Sequence, residues 1–286
     1  DGVYQPESAA NWIDLVEVER VEVLRGPQGT TFGRNATGGL INVITPDPSF
    51  DFRGKASVRV GRMRNDAGDY DARMYVTGPI SETAALDFAS LFRKNDGYIK
   101  DLVRGGTLGG QRVIDLRSKL LLKPADNVKV VLTGEFFDQQ STTNAPQPID
   151  GNTLGRAFPG VILPRGPWEA SLTRVPVLDL RRWTAALHVS VDLETVNLES
   201  TSGFLNLRWY QETDSDASNV DIGNFPALFA TESGSSELKL SSTNAGPFQW
   251  LVGGYFYQFG GHADLSPFSL RLADVIQPKN AALRKF

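Results

Sequence analysis

Few residues in this 286-residue sequence have the types and spacing that catalytic or metal chemistry requires. Its two histidines, His188 and His262, lie far apart in the chain and lack the His-x-x-x-His spacing of a zinc site. The absence of cysteine excludes disulfides, thiolate metal sites and a cysteine nucleophile. No Gly-x-Ser-x-Gly elbow for a nucleophilic serine occurs either. We therefore predict no catalytic residue, no metal site and no cofactor, and we expect that the protein is not an enzyme.

A glycine-rich insert stands between two short β-like runs, Val21–Leu24 and Leu40–Thr45. Glycine permits positive φ angles and close approach of backbones, so the insert predicts a compact loop between paired strands. A phosphate-binding Walker loop needs Gly-Lys-Ser/Thr, whereas Arg34 and Asn35 follow the glycine here, and the dinucleotide-binding Gly-x-Gly-x-x-Gly spacing is absent. No nucleotide site is predicted. The insert contains Gly26, Pro27, Gly29, Gly33, Gly38 and Gly39.

Net charge and hydropathy narrow the class of protein further. A net charge of −4 gives no electrostatic reason to expect a nucleic-acid partner. No apolar run approaches the ~20 residues that a transmembrane helix needs, which excludes a helical membrane protein. A membrane barrel is compatible with the sequence, because barrel strands need only ~9–11 residues and only every second side chain faces lipid.

After Pro46 and Pro48, segments of strand length alternate polar and apolar residues towards the end of the chain. This period-two pattern predicts nine antiparallel strands, each with one polar and one apolar face; His188, for example, is expected on a polar face. A soluble antiparallel sheet with one wet face is the alternative. The predicted strands are Lys55–Gly61, Tyr70–Thr77, Ala84–Arg93, Val113–Leu122, Val128–Phe137, Trp183–Asp192, Val196–Tyr210, Glu237–Ser241 and Phe248–Phe259.

The connections between these strands alternate between short and long. Outer-membrane barrels have short turns at one end and long loops at the other, whereas a soluble sandwich has no reason to sort its connections in this way. Trp183, Trp209, Tyr210 and Trp250 lie near predicted strand ends, where the aromatic girdles of barrels lie, which adds weaker support. The predicted turns are Gly78–Thr83, Lys123–Asn127, Asp192–Thr195 and Asn244–Pro247, and the connections at the other end are Asn65–Asp69, Lys94–Gly110, Gln139–Arg182 and Gln211–Gly234.

Residues 22–45 resemble the C-terminal half of the plug domain of TonB-dependent outer-membrane receptors. The resemblance is carried by Glu22-Val23-Leu24-Arg25-Gly26-Pro27-Gln28-Gly29, by Gly33-Arg34-Asn35-Ala36-Thr37-Gly38-Gly39 and by Ile41-Asn42-Val43-Ile44-Thr45. Asp1-Gly2-Val3-Tyr4 is similar to an earlier plug strand. The plug residues to which the resemblance gives a structural or gating role are Glu22, Arg25, Gly26, Pro27, Gly29, Gly33, Arg34, Asn35, Gly38 and Gly39.

This resemblance implies an all-β fold and an incomplete receptor. Residues 1–48 are expected to form the C-terminal part of a plug, and residues 49–286 the N-terminal part of a transmembrane β-barrel of the ~22-stranded type. Long outer loops are expected near residues 94–111, 139–182 and 211–234. The expected location is the outer membrane of a Gram-negative bacterium.

The function implied by the resemblance is TonB-dependent active uptake of a scarce solute, in the first place a ferric siderophore or another iron complex. Glycans and corrinoids are alternatives within the family, and a soluble β-rich binding module is an alternative outside it. The implied partners are outer-membrane lipid, a small solute and the TonB complex, the last through a segment that is not in this chain. No nucleic-acid partner is expected, and no substrate-binding residue is identified.

Charged residues on the polar strand faces suggest how a plug would be held in place. We predict that some of them form breakable ion pairs with the plug, whose candidate partners are Glu22, Arg25 and Arg34. The predicted inward-facing charges are Arg59, Arg73, Asp87, Arg93, Asp115, Arg117, Lys119 and Glu135.

Overall fold

The computed structural model describes residues 1–5, 16–29, 38–143, 145–148, 154–244, 247–265 and 269–270. Strands dominate these ranges, with two short 3-10 helices at Arg64–Asp66 and Leu154–Ala157. None of the described helices is long and apolar enough to cross a membrane. In chain order the strands are β1 (Arg20–Arg25), β2 (Gly39–Ile44), β3 (Arg53–Arg62), β4 (Gly68–Ser81), β5 (Ala84–Asn95), β6 (Ile99–Asp101), β7 (Thr107–Leu108), β8 (Gln111–Ala125), β9 (Val128–Ser141), β10 (Glu169–Ala170), β11 (Val177–Leu193), β12 (Val196–Asp214), β13 (Gly223–Ser242), β14 (Leu251–Leu265) and β15 (Ser269–Leu270).

One large antiparallel sheet accounts for most of the chain. Its strands run in the order β14-β13-β12-β11-β9-β8-β5-β4-β3, and β15 pairs with β13 beside this path. The nine strands of the path correspond to the nine predicted strands, so the all-β prediction is confirmed. Several strands are longer than predicted, and β14 extends beyond its predicted end at Phe259 to include His262.

The two faces of this sheet differ in character because neighbouring residues of a strand point to opposite sides. Asp87 and Lys119 are register partners on one face and are 1% and 3% exposed. Leu86 and Leu120, one residue further along each strand, are partners on the other face, where Leu86 is 42% exposed. We call the face that carries Asp87 and Lys119 the inner face, because the N-terminal segments lie on it. The face that carries Leu86 and Leu120 is the outer face. An apolar outer face and a polar inner face are typical of a membrane barrel wall.

Two predicted girdle aromatics lie on opposite faces. Trp183 is on the outer face and is 54% exposed, as the girdle prediction requires. Trp209 shares the inner face with buried Leu207 and stacks on Phe229, with ring centroids 4.8 Å apart. The prediction for Trp209 was wrong because nearness to a strand end does not say which side a residue faces.

The connections are sorted by length largely as predicted, with one exception at each end: residues 243–250 form a longer connection at one end, and residues 63–67 a short one at the other. At one end of the sheet, the turn end, three turns leave only two residues each between strands, and the fourth connection covers residues 243–250. At the opposite end, the loop end, the connections cover residues 63–67, 96–110, 142–176 and 215–222. The long loop predicted at 211–234 was wrong, because β12 extends to Asp214 and β13 begins at Gly223. Pro226 and the serine and glycine residues after it weaken the strand pattern, but pairing with β12 keeps them extended.

The loops at the loop end pack on one another. Strands β6, β7 and β10 form a small sheet that joins the loops at 96–110 and 142–176. Ile99, Leu108, Ala170 and Leu172 form a buried apolar cluster between them. The amide of Thr173 donates a 2.8 Å hydrogen bond to the carboxylate at the end of β12, Asp214, and so attaches these loops to the β12–β13 hairpin.

The plug-like segment contains a separate hairpin. Strands β1 and β2 pair in register from Arg20 with Ile44 to Arg25 with Gly39. Gly39 has a φ of +124°, and a Cβ placed there would lie 2.3 Å from the carbonyl oxygen of Leu24. Only glycine fits where the backbones approach so closely. The motif residues Gly33, Arg34 and Asn35 lie outside the described residues.

Substitution of Gly39 by alanine tests this hairpin. We expect Gly39→Ala in the full-length protein to lower the local free energy of opening of β1–β2 by at least about 2 kcal/mol, because strain of this kind costs ~1–3 kcal/mol before any clash. Hydrogen exchange of residues 20–25 and 39–44 measures the opening. Gly38→Ala is the matched control, since a Cβ at Gly38 would meet nothing within 4 Å. Equal exchange in the two variants would contradict the packing described here.

Candidate functional site: the plug seat on the inner face

Three stretches of the N-terminal 52 residues lie on the inner face, and we call the surface they cover the plug seat. The first stretch, residues 1–5, runs over β12 and β14. A Cβ at Gly203 would lie 2.6 Å from Cγ1 of Val3, so the glycine provides space for that side chain. Next to it, the ring of Tyr4 meets Tyr257 edge-on with centroids 5.8 Å apart. Close backbone approach therefore positions this stretch on the large antiparallel sheet, which we call the wall.

The same stretch is joined to the end of the β1–β2 hairpin. The backbone amide of Thr45 donates to Oδ1 of Asp1 at 2.9 Å, and the Thr45 hydroxyl donates to Oδ2 at 2.6 Å. The backbone nitrogen of Asp1 donates to the carbonyl of Val43 at 2.6 Å. Two segments more than 40 residues apart in sequence are thus held as one unit on the inner face.

The second stretch begins at Val16, which provides the apolar part of the seat. Its side chain packs against a cluster of buried residues from five neighbouring strands of the wall. Burial of apolar area of this kind contributes about 25 cal/mol per Å² removed from water. The cluster consists of Leu91, Val113, Phe137, Leu180, Leu205 and Leu207.

Lys119 of β8 is a buried cation of the seat, with 3% of its side chain exposed. Its Nζ donates to the carbonyl oxygen of Thr45 at 2.9 Å and lies 3.3 Å from the carboxylate of Asp1 and 3.7 Å from that of Asp47. A buried ammonium requires such partners, because an unpaired buried charge is costly. Lys119 therefore contacts both segments of this unit, the N-terminal stretch at Asp1 and the end of the hairpin at Thr45.

The linker that follows β2 is held by the same group of charges. Asp47 accepts a 2.5 Å hydrogen bond from Nζ of Lys129 on β9. Burial alone would raise the pKa of Asp47, but the Lys129 hydrogen bond and the nearby charges of Lys129 and Lys119 outweigh it and lower that pKa below its usual value of 3.8. The side chains of this pair are about two-fifths exposed, so the pair contributes modestly to stability, about 1 kcal/mol or less.

Glu17 provides a further contact between the N-terminal segments and the wall. Its carboxylate lies 2.5 Å from Nζ of Lys55 on β3, and its carbonyl oxygen accepts a 3.4 Å hydrogen bond from Nη1 of Arg117 on β8.

The third stretch of the seat, at Ser49 and Phe50, leads into the wall. The amide of Ser49 donates to the Thr77 hydroxyl at 2.8 Å, and Phe50 packs against a small apolar cluster of the wall.

Within the described residues, the predicted plug partners Glu22 and Arg25 have no ion pair with the wall. Glu22 accepts hydrogen bonds from Arg20 and Asn42 within the hairpin, and these bonds hold its pKa below the usual range. The carbonyl of Arg25 accepts a 3.4 Å hydrogen bond from Gln28, and Arg34 lies outside the described residues. The described ion pairs between plug segments and wall come instead from Asp1, Glu17 and Asp47, which the sequence analysis did not name.

The inward-facing charges on the wall were placed correctly. Register pairing puts all eight predicted residues on one face, and Lys119 and Arg117 are among those that contact the plug segments. His188 also faces inward and shares a 3.0 Å hydrogen bond with Thr201. Strand parity was the signal that located these residues, but parity alone cannot say which of them meets a partner.

Towards the loop end, the inner face carries a cationic cluster. Asp71 of β4 accepts hydrogen bonds from Arg73 at 2.7 Å and from Arg93 of β5 at 2.9 Å. Arg59 of β3 lies 4.0 Å from Asp71 and 3.4 Å from Asp69, and its side chain is 64% exposed. The exposed guanidinium of Arg59 suits an anionic solute that carries carboxylate or phenolate oxygens.

The N-terminal part of the chain matches a known domain family, and longer stretches match known receptors. Residues 1–40 match the family model of the TonB-dependent receptor plug domain. The chain is 32% identical over 107 residues to the ferric enterobactin receptor PirA of Pseudomonas aeruginosa, a match that covers 37% of this chain and 14% of that protein. It is 36% identical over 129 residues to the pesticin receptor of Yersinia enterocolitica, which covers 44% of this chain and 18% of the relative.

Solved structures share the fold across most of the chain. The ferric yersiniabactin uptake receptor FyuA of Yersinia pestis superimposes with a TM-score of 0.72 at 18% identity, covering 89% of this chain and 38% of that one. The siderophore receptor PiuA of Acinetobacter baumannii gives a TM-score of 0.66 at 13% identity, covering 91% and 39%. The chain thus spans about two-fifths of the length of these structures.

The role of Lys119 is testable by substitution. We expect Lys119→Met in the full-length protein to destabilise the attachment of residues 43–47 by about 1–3 kcal/mol, because it leaves two carboxylates and a carbonyl without their shared donor. Hydrogen exchange of these residues measures the effect. Lys100→Met, at an exposed lysine of β6, is the matched control. Exchange as slow in Lys119→Met as in the control would contradict the assignment.

The Asp47 pair predicts a pH dependence. The pKa of Asp47 is lower in the folded state, so its contribution to stability is present above the unfolded value of 3.8 and is lost as pH falls through the folded pKa. We expect protease cleavage near residues 46–52 to stay constant from pH 7 to about pH 5 and to increase below about pH 4. In Asp47→Asn the acid-dependent increase should be smaller. An identical acid profile in that variant would show that another group is responsible.

Proposed function

We propose that the chain is part of a TonB-dependent receptor and that the complete receptor takes up a ferric siderophore across the outer membrane of a Gram-negative bacterium. The single observation that supports this most is the plug seat: a plug segment anchored on the polar inner face of a β-wall whose outer face is apolar. A wall of this kind encloses a lumen, and a segment that fills the lumen must move for solute to pass. The location is the cell outer membrane.

Iron complexes are the preferred substrate class for two reasons. The relatives named above are described as ferric siderophore or pesticin receptors, and another is an iron-regulated outer-membrane virulence protein of Vibrio cholerae. The arginines around Asp71 make the inner face near the loop end cationic, which suits an anionic ferric complex. Glycan uptake and corrinoid uptake are the alternatives, and the uptake assay must distinguish them from uptake of an iron complex.

In this proposal residues 1–48 belong to the plug and residues 49–286 to the barrel. Two observations support this division: β2 continues to Ile44, beyond the end of the family model at residue 40, and Asp47 precedes the first strand of the large sheet. The energy for transport comes from a TonB complex that pulls on the plug. Partners are outer-membrane lipid, the solute and TonB.

The contacts of the seat suit a plug that is held but can be released. Its ion pairs at Lys55 and Lys129 are partly exposed, and such pairs contribute about 0–1 kcal/mol each. Lys119 is the exception because it is buried. A pull that separates residues 43–47 from Lys119 therefore breaks the one buried ion-pair contact described in the seat, and the remaining ion pairs are weaker.

Uptake assays test the proposed substrate. We expect cells that express the full-length receptor, and that lack other iron receptors, to accumulate radioactive iron from at least one ferric siderophore of a panel. Deletion of TonB should abolish the accumulation, because transport against a gradient requires energy. Accumulation of cobalamin or an oligosaccharide, with no ferric siderophore transported, would contradict the iron assignment and favour an alternative within the family.

Arg59 gives a residue-level test of the cationic cluster. We expect Arg59→Gln to raise the solute concentration for half-maximal uptake about three- to ten-fold, because one exposed guanidinium at a binding surface contributes about 1 kcal/mol. Arg62→Gln is the matched control, since Arg62 lies on the same strand but has the opposite parity and faces outward. Equal effects of the two substitutions would exclude the cluster as a solute contact.

A further inference from the structure

Arg117 of β8 is a buried cation of the plug seat whose donors are mostly unused. The residue is 7% exposed and faces inward. Its Nη1 donates to the carbonyl oxygen of Glu17 at 3.4 Å, which is a long hydrogen bond. The buried Nε and Nη2 atoms have no hydrogen-bond partner within the described part of the chain. Because buried donors without partners are costly, this guanidinium has the unmet capacity that an anion would fill.

Two lysines beside Arg117 depend on the plug for their ion pairs. Lys119 lies two residues further along β8 on the same face, and Lys129 lies on the neighbouring strand β9. Their ammonium groups are 3.7 Å and 2.5 Å from the carboxylate of Asp47. Lys119 has a second ion pair, with Asp1. Among the described residues, every ion pair of these two lysines is therefore with a plug segment rather than with the wall.

The wall carboxylates next to this group have other partners. Asp87, the register partner of Lys119, accepts a 2.7 Å hydrogen bond from the backbone amide of that lysine. Glu135, the register partner of Arg117, is paired with Arg182 of β11. The charges of the three cations are thus compensated mainly by the plug.

The inner-face cations near the loop end are arranged differently. Arg73 of β4 and Arg93 of β5 donate to Asp71, which belongs to the wall itself, so these two cations keep a partner when the plug moves. Lys129, by contrast, is the second residue of β9 at the turn end, and its partner Asp47 belongs to the plug segments. Departure of the plug would therefore uncover positive charge near the turn end, where a solute leaves the lumen.

We propose that Arg117, Lys119 and Lys129 form an anion site, which Asp47 masks while the plug is seated and which an oxyanionic group of the solute occupies when the plug moves. Arginine suits such a ligand because its planar fork donates two parallel hydrogen bonds to a carboxylate or phosphate, and the lysines add compact charges. Alternate residues of a strand are roughly 6.6 Å apart, so one multivalent oxyanion can reach both Arg117 and Lys119. The use of the site by a solute rests on the function proposed above, whereas its affinity for an oxyanion does not.

Hydrogen exchange of residues 43–47 in the purified full-length receptor, in a nonionic detergent, tests the anion site. Pyrophosphate is the probe, and sodium chloride at the same ionic strength is the reference, so that screening is equal in the two salts. We expect exchange to be at least about three-fold faster in pyrophosphate, because the probe competes with Asp47 for Lys119 and Lys129. Equal exchange in the two salts would overturn the proposal.

Arg117→Met tests whether the guanidinium belongs to the site. The ratio of the exchange rates in the two salts is compared within each variant, so that a change in basal stability cancels. We expect this ratio to fall to less than about half of the wild-type value in Arg117→Met and to be mostly restored in Arg117→Lys, which keeps the charge. Arg112→Met is the matched control, because Arg112 lies on the same strand but faces outward, and it should keep the wild-type ratio. A wild-type ratio in Arg117→Met would overturn the assignment.

Uptake by cells tests whether a solute uses the site. For a ferric siderophore that the full-length receptor transports, Arg117→Met should lower the maximal rate of uptake at least about three-fold, because the passing anion loses a charged partner. The solute concentration for half-maximal surface binding, measured in cells that lack TonB, should not change, since the site is reached only after the plug moves. An unchanged maximal rate would overturn the role in transport. If no ferric complex is transported at all, the proposed function fails, and the pyrophosphate experiment still decides whether the anion site exists.

Discussion

Every feature of this chain depends on the two-residue alternation of a single antiparallel wall. A strand in a bilayer must pair all of its backbone groups with neighbouring strands, so only the side chains can adapt to what lies on each side. Parity then assigns each residue to the inner or the outer face. Leu86 and Asp87 are adjacent in β5, yet one is 42% exposed on the apolar face and the other is 1% exposed beside Lys119. A shift of register by one residue would exchange the two environments along a whole strand.

Given that wall, the plug segments are held by contacts of very different strength. Close backbone approach at Gly203 and burial of Val16 provide shape and apolar area. Lys119 adds one buried cation that serves the joined ends of the plug, and the remaining ion pairs are exposed enough to be weak. This distribution allows a plug to stay in place without force and to be removed in steps when force is applied. The outer face has no such task, and Lys94, Arg112 and Arg181 on it lie towards the loop end of their strands.

The sequence predicted the fold well because alternation is a local property that can be read one strand at a time. It predicted the faces for the same reason, including the inward position of Lys119 and His188. Strand ends were less accurate: β13 begins at Gly223 because pairing with β12 overrides the weak strand preference around Pro226. The ion pairs of Asp1, Glu17 and Asp47 were missed, since they join residues as far apart as Asp1 and Lys119 and depend on how the segments lie on the wall. No local pattern contains that information.

A reversible cross-link between plug and wall tests the central claim most directly. A Cβ at Gly203 would lie 3.2 Å from Cβ of Val3, close to the spacing of a disulfide, and the chain has no cysteine of its own. In the full-length receptor, Val3→Cys with Gly203→Cys should form a disulfide in oxidising conditions. We predict that iron uptake by cells stops when this bond is present and returns after reduction. Failure of the pair to cross-link, or undiminished uptake with the disulfide intact, would contradict a plug that is seated on this wall and must leave it for transport.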